Sequence, residues 1–366
     1  MLEYTISFLI ALLIAVAGYL LYERFVRKSH KPTSSAYVEA LCDLLDGRQE
    51  SAFTKLRQVV AEDATNLDAY IRLGRILREH NQAERALQVH KDLTLRPDLT
   101  RDDRVAILHE IAADCLALDD VKTAESALSE QIALNSSDYW AFTRLLAIQE
   151  KARKWNDAYD TAVEILKLES NKSKKPLARY KYQSGRQLFG KREYHKARVL
   201  YKEAIGLDPS FVSAYLAIGD SYYEEKRYED AVTFWKKLIT SVPDQGHRVI
   251  SRLKKTLFEL GRFGDIQSIC ETILEHAPKN VEARRALAEF YEKKGDVDLA
   301  VELLEQVRDD HPDDNAVAYD LIRIYLERDD HTRIKKLIRN LGQRHDEAAN
   351  SAPDGQPESS SSAASA

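Results

Sequence analysis

Shifted against itself by 34 residues, this 366-residue sequence brings like residues into register repeatedly. That periodicity constrains the fold most, because one period is too short to bury an apolar face alone and must stack on its neighbours. The clearest copy starts at Val212, VSAYLAIGDSYYEEKRYEDAVTFWKKLITSVPD, and reads as two amphipathic helices around a turn. Nine copies start at Thr33, Leu67, Val105, Tyr139, Ala178, Val212, His247, Val281 and Asn315, with insertions at Arg101–Arg104 and Ser173–Leu177. Where the two helices of a copy touch, only a small side chain fits. Seven copies place Ala there: Ala52, Ala86, Ala124, Ala158, Ala197, Ala231 and Ala300. Copies seven and nine place Ile266 and Ile334, so their helix pairs are expected to splay or shift register.

The spacing of Tyr215, Gly219, Tyr222, Tyr228, Ala231, Trp235 and Pro243 resembles the tetratricopeptide repeat. The resemblance implies an all-α chain whose roughly nine hairpins, over residues 33–345, wind into a superhelical solenoid with a concave groove. Only 13 Gly and 9 Pro agree with a helix-rich chain. Lys and Arg number 54 against 59 Asp and Glu, a formal charge of -5, so nucleic acid is not an expected partner. Cys42, Cys115 and Cys270 lie far apart and form neither a disulfide framework nor a CxxC zinc pair. Cys115 and Cys270 fall on inward helical positions, where a thiol acts as a small hydrophobe.

The ends differ from the repeats. From Tyr4 to Tyr22 there is no charge, and 19 residues of helix reach about 28 Å, enough to cross a bilayer. Residues 1–22 are therefore expected to form one transmembrane anchor. Residues 23–32, with Arg24, Arg27, Lys28 and Lys31, form a basic juxtamembrane segment that places the repeats on the cytoplasmic side of the inner membrane. Ala15-Val16-Ala17 has the form of a signal-peptide cleavage site, but no Lys or Arg precedes it and the apolar run continues past it. After Arg344 no aliphatic residue is larger than Ala, so residues 346–366 are expected to be a disordered Ser/Ala-rich tail.

No phosphate loop, HExxH or G-x-S-x-G occurs, so no enzyme, cofactor or metal is expected. Asp309, Asp310, Asp313 and Asp314 around His311-Pro312 read as a helix-capping turn rather than a calcium loop. Function is expected on the first helix of each copy, at its second, fifth, ninth and twelfth residues. These supply Trp140, Arg179, Tyr182, Arg186, Phe189, Asp220, Tyr223, Arg248, Lys255 and Phe258 as a partner-binding groove. Cations interleaved with aromatics suit an extended acidic or amphipathic peptide. The competing reading is a solvated face on which Arg and Lys pair with acids such as Glu282, Glu289 and Glu292. The Asn-containing set that clamps a C-terminal carboxylate in chaperone-tail receptors is not matched.

The MLEY start, the single anchor, Leu73-Gly74, Leu99-Thr100, Arg104-Val105-Ala106 and above all Arg85-Ala86-Leu87-Gln88-Val89-His90-Lys91-Asp92-Leu93 resemble the lipopolysaccharide assembly protein B family of Gram-negative bacteria. The resemblance covers residues 1 to about 340. It implies a non-catalytic inner-membrane adaptor that binds a membrane-anchored ATP-dependent protease and the deacetylase committing precursor to lipid A. That family ends in a rubredoxin-like zinc ribbon with two CxxC pairs, whereas this sequence has no Cys after Cys270. Two alternatives stay open: a general membrane-anchored scaffold with other clients in envelope biogenesis, secretion or import, and an enzyme subunit with a hidden site.

Overall fold

The structure is a computed structural model and describes residues 35–340 except 313, together with 16 and 19. The expected anchor (apart from Val16 and Tyr19), juxtamembrane segment and tail lie outside the described residues, as does Asp313. Among the described residues no helix is long and apolar enough to cross a membrane.

Eighteen helices and no strand are found among the described residues. They are α1 (Ser35–Leu45), α2 (Gln49–Glu62), α3 (Leu67–Glu79), α4 (Ala83–Thr94), α5 (Arg101–Ala117), α6 (Val121–Leu134), α7 (Tyr139–Lys151), α8 (Trp155–Leu168), α9 (Ala178–Gly190), α10 (Tyr194–Leu207), α11 (Val212–Glu224), α12 (Tyr228–Ser241), α13 (Ile250–Glu259), α14 (Asp265–His276), α15 (Val281–Lys294), α16 (Val297–Asp310), α17 (Asn315–Glu327) and α18 (331–340). They pair as nine tetratricopeptide hairpins, and α3, α7, α9, α11, α15 and α17 begin at the residues expected from the repeat. Two compact blocks divide at Asn171 and Lys172, the first holding repeats one to four and the second repeats five to nine.

The turn inside every hairpin has the same chemistry. Its fifteenth residue takes a positive φ in all nine repeats: Gly47, Asn81, Asp119, Arg153, Arg192, Lys226, Gly261, Gly295 and Asp329. The next amide then donates back to a carbonyl near the end of the first helix, as from Gln82 to Leu77 (2.9 Å), Arg227 to Tyr222 (2.9 Å) and Asp330 to Tyr325 (2.9 Å). This left-handed cap satisfies carbonyls the helix end would otherwise leave unpaired and reverses the chain.

The insertions are absorbed at linkers between repeats, each preceded by a further positive-φ residue, Asp98 or Ser170. Arg101–Arg104 become an extra first turn of α5, capped reciprocally by Thr100 and Asp103. Four residues make about one helical turn, so the faces that follow keep their register. The second insertion forms the 3-10 turn Lys175–Leu177 ahead of α9. Asp314 caps α17 by accepting from Ala316 and Val317, as the capping reading expected.

Packing explains the small residues. The seven hairpin alanines are fully buried. A Cβ on Gly74, Gly185 or Gly219 would fall 2.3, 2.5 or 2.1 Å from the rings of His90, Tyr201 or Trp235. In these repeats a large buried ring on the second helix therefore requires bare backbone on the first. Repeat seven departs from the pattern: the 3-10 segment Pro243–Val249 replaces its opening, and α13 has only 10 residues. Ile266 is fully buried all the same. The core is a succession of clusters shared by adjacent repeats, such as Leu253, Leu257, Cys270 and Ile273 with Ala283 and Leu287.

Candidate functional site

Within each block, ion pairs join several first helices of successive repeats. In the N-terminal block Arg78 on α3 bonds Glu110 (2.8 Å) and Asp114 (2.7 Å) on α5, and Arg75 also reaches Glu110. Asp114 accepts in addition from Nδ1 of the buried His90 (2.5 Å), whose Nε2 lies 3.2 Å from the Ile71 carbonyl. Burial alone would raise the Glu110 carboxyl, but hydrogen bonds from Arg75 and Arg78 outweigh it and hold the pKa below its ordinary value.

The C-terminal block repeats the device. Arg252 bonds Asp220 (2.7 Å), Lys254 bonds Glu289, Arg285 bonds Asp320 (2.7 Å) and Arg323 bonds Glu292 (2.7 Å). For Asp220, Glu289 and Glu292 the paired-face reading therefore holds. Burial pushes the Glu289 carboxyl up, but Lys254 and Lys293 more than offset it, so its pKa is lowered. Between α13, α15 and α17 the last three of these pairs line a cleft of about 470 Å³.

In the first block, Trp140 is half-buried and packed on His109, ring centroids 3.8 Å apart, with the Arg144 guanidinium 5.7 Å from its ring. Burial lowers the His109 pKa. In the second block, Arg179, Tyr182, Arg186 and Phe189 share α9. Tyr182 packs edge-on against Phe211 (5.4 Å) and Phe189 against Tyr194 (5.2 Å), so both rings serve the hairpin interior as well as the surface. Arg179 lies over the Tyr180 ring and donates to its hydroxyl (2.6 Å). Lys255 sits 4.9 Å over Tyr223, joining α13 to α11. Arg186, Arg248 and Lys255 are exposed, and Phe258 is 73% exposed.

The network of half-buried Arg78 with buried Glu110, Asp114 and His90 was missed from sequence. The available signal was opposite charge about one repeat apart, since Arg78 lies 32 residues from Glu110 and 36 from Asp114. No cluster of His, Cys, Asp or Glu among the described residues could hold a metal ion. Burial pushes the Cys270 thiol up to about 12, which leaves it no nucleophile at neutral pH. Exposed cations beside half-buried rings are the chemistry that suits contact with an extended acidic or amphipathic chain.

Comparison with known proteins agrees with this architecture. Family models of the tetratricopeptide repeat match residues 182–245 and 257–323. The chain is similar to lipopolysaccharide assembly protein B of Escherichia coli (strain K12), 20% identical over 279 residues, which cover 76% of this chain and 72% of that protein. The Haemophilus influenzae protein of that name is 24% identical over 236 residues, 64% of this chain and 58% of the relative. Cytochrome c-type biogenesis protein CycH of Pseudomonas aeruginosa is 27% identical over 147 residues, 39% of this chain and 34% of that protein. The resemblance drawn from the sequence thus holds over most of the chain.

Proposed function

We propose that this tetratricopeptide-repeat protein is a non-catalytic adaptor anchored in the inner membrane, which presents the lipid A deacetylase to a membrane-anchored ATP-dependent protease and so sets lipopolysaccharide output. The observation that carries the reading is the similarity to lipopolysaccharide assembly protein B over 76% of the chain. The apolar run Tyr4–Tyr22 and the cations after it support the anchor and a cytoplasmic placement of the repeats. The exposed cations on α9 and α13 beside half-buried rings on α9 and α11 support a protein client. Anchor and groove then cooperate through effective concentration.

The test is the cellular deacetylase level. Deleting residues 1–30, or combining Arg179→Glu with Arg186→Glu, should raise it while circular dichroism stays unchanged. Removing a desolvated Arg from an interface costs on the order of 2 kcal/mol or more, so the double variant should weaken binding well over tenfold. An unchanged deacetylase level in a complete gene deletion overturns the reading. The similarity to CycH favours, in that case, a membrane-anchored scaffold with other clients in envelope biogenesis, secretion or import.

A further inference from the structure

The last hairpin exposes a face that its predecessors in the block keep covered. At the twenty-fourth residue of a repeat, Tyr201, Trp235, Cys270 and Leu304 are 1%, 2%, 0% and 2% exposed, whereas Ile338 of repeat nine is 55% exposed. The same holds on the first helix. In repeat eight the fifth and twelfth residues are engaged by repeat nine, Arg285 bonding Asp320 and Glu292 bonding Arg323, and the eighth, Ala288, is 1% exposed. Their equivalents in repeat nine are Tyr319, Ile322 and Leu326, with Tyr319 68% and Leu326 53% exposed. Tyr319, Ile322, Leu326 and Ile338 thus form an apolar seat whose register is that of a following first helix.

The α18 side of the seat has one sign. α18 reads HTRIKKLIRN and contains no acid. Arg333 turns back to Asp330 and the Tyr325 ring, while Lys335, Lys336 and Arg339 make no ion pair among the described residues. Lys335 and Arg339 flank Ile338 at helical spacing. A second copy of this edge would oppose cation to cation. Residues 342–366 hold no aliphatic residue larger than Ala and cannot supply the matching stripe.

We propose that this edge seats an acidic amphipathic helix of a partner protein, in the place a tenth first helix would take. Tyr319 and Leu326 stand at the fifth and twelfth offsets of the groove pattern, but none of the seat's residues is among those of the groove proposed above, and the seat does not depend on the identity of that client. The full chain in detergent should be titrated with two labelled helical peptides that share a Leu stripe at i, i+3, i+4 and i+7. One carries Glu and the other Lys at the remaining positions, and binding is read by fluorescence anisotropy. The Glu peptide should bind about tenfold tighter or more. Ile338→Glu should abolish that binding, and Lys335→Glu with Arg339→Glu should reverse the preference. These sites are exposed, so the variants should keep the parent circular dichroism. Equal affinity for the two peptides, Glu-peptide binding that survives Ile338→Glu, or a concentration-dependent dimer that Ile338→Glu dissolves would each overturn the proposal, the last in favour of a second copy.

Discussion

Six of the nine hairpin turns place a residue other than Gly at positive φ: Asn81, Asp119, Arg153, Arg192, Lys226 and Asp329. A side chain there costs on the order of 1 kcal/mol, least for Asn and Asp. Lys226→Gly and Arg153→Gly should therefore each raise stability by roughly 0.5–1 kcal/mol, read as a higher urea midpoint, whereas Gly295→Val should lower it. Glu110 gives a pH dependence of opposite origin. Its folded pKa lies below its ordinary 4.5, so its contribution is fully present above about pH 5 and is lost as pH falls below 4.5 toward the folded value. Glu110→Gln leaves Arg78 with Asp114 alone and Arg75 without its charged partner, and should cost about 1.5–3 kcal/mol at pH 7. Thermal melts from pH 7 to 3 should show a flatter acid limb for this variant, and an unchanged limb would assign the acid loss to other carboxylates. The thiols separate by burial: Cys42 is exposed, whereas Cys115 and Cys270 are buried with pKa values raised chiefly by that burial. A thiol reagent at pH 8 should label one site in the native chain and three after denaturation.

At the scale of the hairpin, the glycine opposite a large ring makes the sharpest test of packing. Gly219→Ala places a methyl against Trp235, a nearly fully buried ring whose indole N–H is held by the Leu216 carbonyl at 3.2 Å. The ring cannot rotate away without losing that bond, so the change should cost about 1–3 kcal/mol. Gly206→Ala, where nothing lies within 4 Å, should be neutral or stabilising in the same melt. This logic also explains what was legible in the sequence. Helix starts at Leu67, Tyr139, Ala178, Val212, Val281 and Asn315 follow from the repeat because Ala at the hairpin contact and a bulky residue four positions on are dictated locally. Repeat seven was less legible: the 3-10 segment Pro243–Val249 runs across its start, its first helix has only 10 residues, and Ile266 is fully buried where most copies have Ala. The site was less legible still. A helical period tells which residues share a face but not which partner one repeat away takes a charge. Asp220 and Glu289 are claimed by Arg252 and Lys254, while Tyr182 and Phe189 turn partly into their own hairpin.

At the scale of the whole molecule, stability should follow the two blocks, because each cluster of buried residues is built from neighbouring repeats. Glu169 to Pro176 is an unbroken run of exposed residues at the block boundary and contains Lys172, Lys174 and Lys175. Brief trypsin treatment should cut first at Lys172 or Lys174, since exposed backbone outside regular helix adapts most readily to a protease. Lys175 precedes Pro176 and should resist. Two fragments of nearly equal size should result, and a first cut inside any hairpin would contradict the division into blocks. The same digest tests topology when performed on sealed inner-membrane vesicles. Basic residues from Arg24 to Lys31 predict that the repeats face the cytoplasm, so vesicles exposing the cytoplasmic side should yield both fragments and those of opposite orientation should protect them. Of the two fragments produced, the N-terminal one should stay with the membrane while the C-terminal one enters solution, because the proposed anchor precedes repeat one. Recovery of both fragments in solution, the first still starting at Met1 and so uncut at Arg24 to Lys31, would remove the anchor, and with it the effective-concentration argument on which the adaptor reading depends.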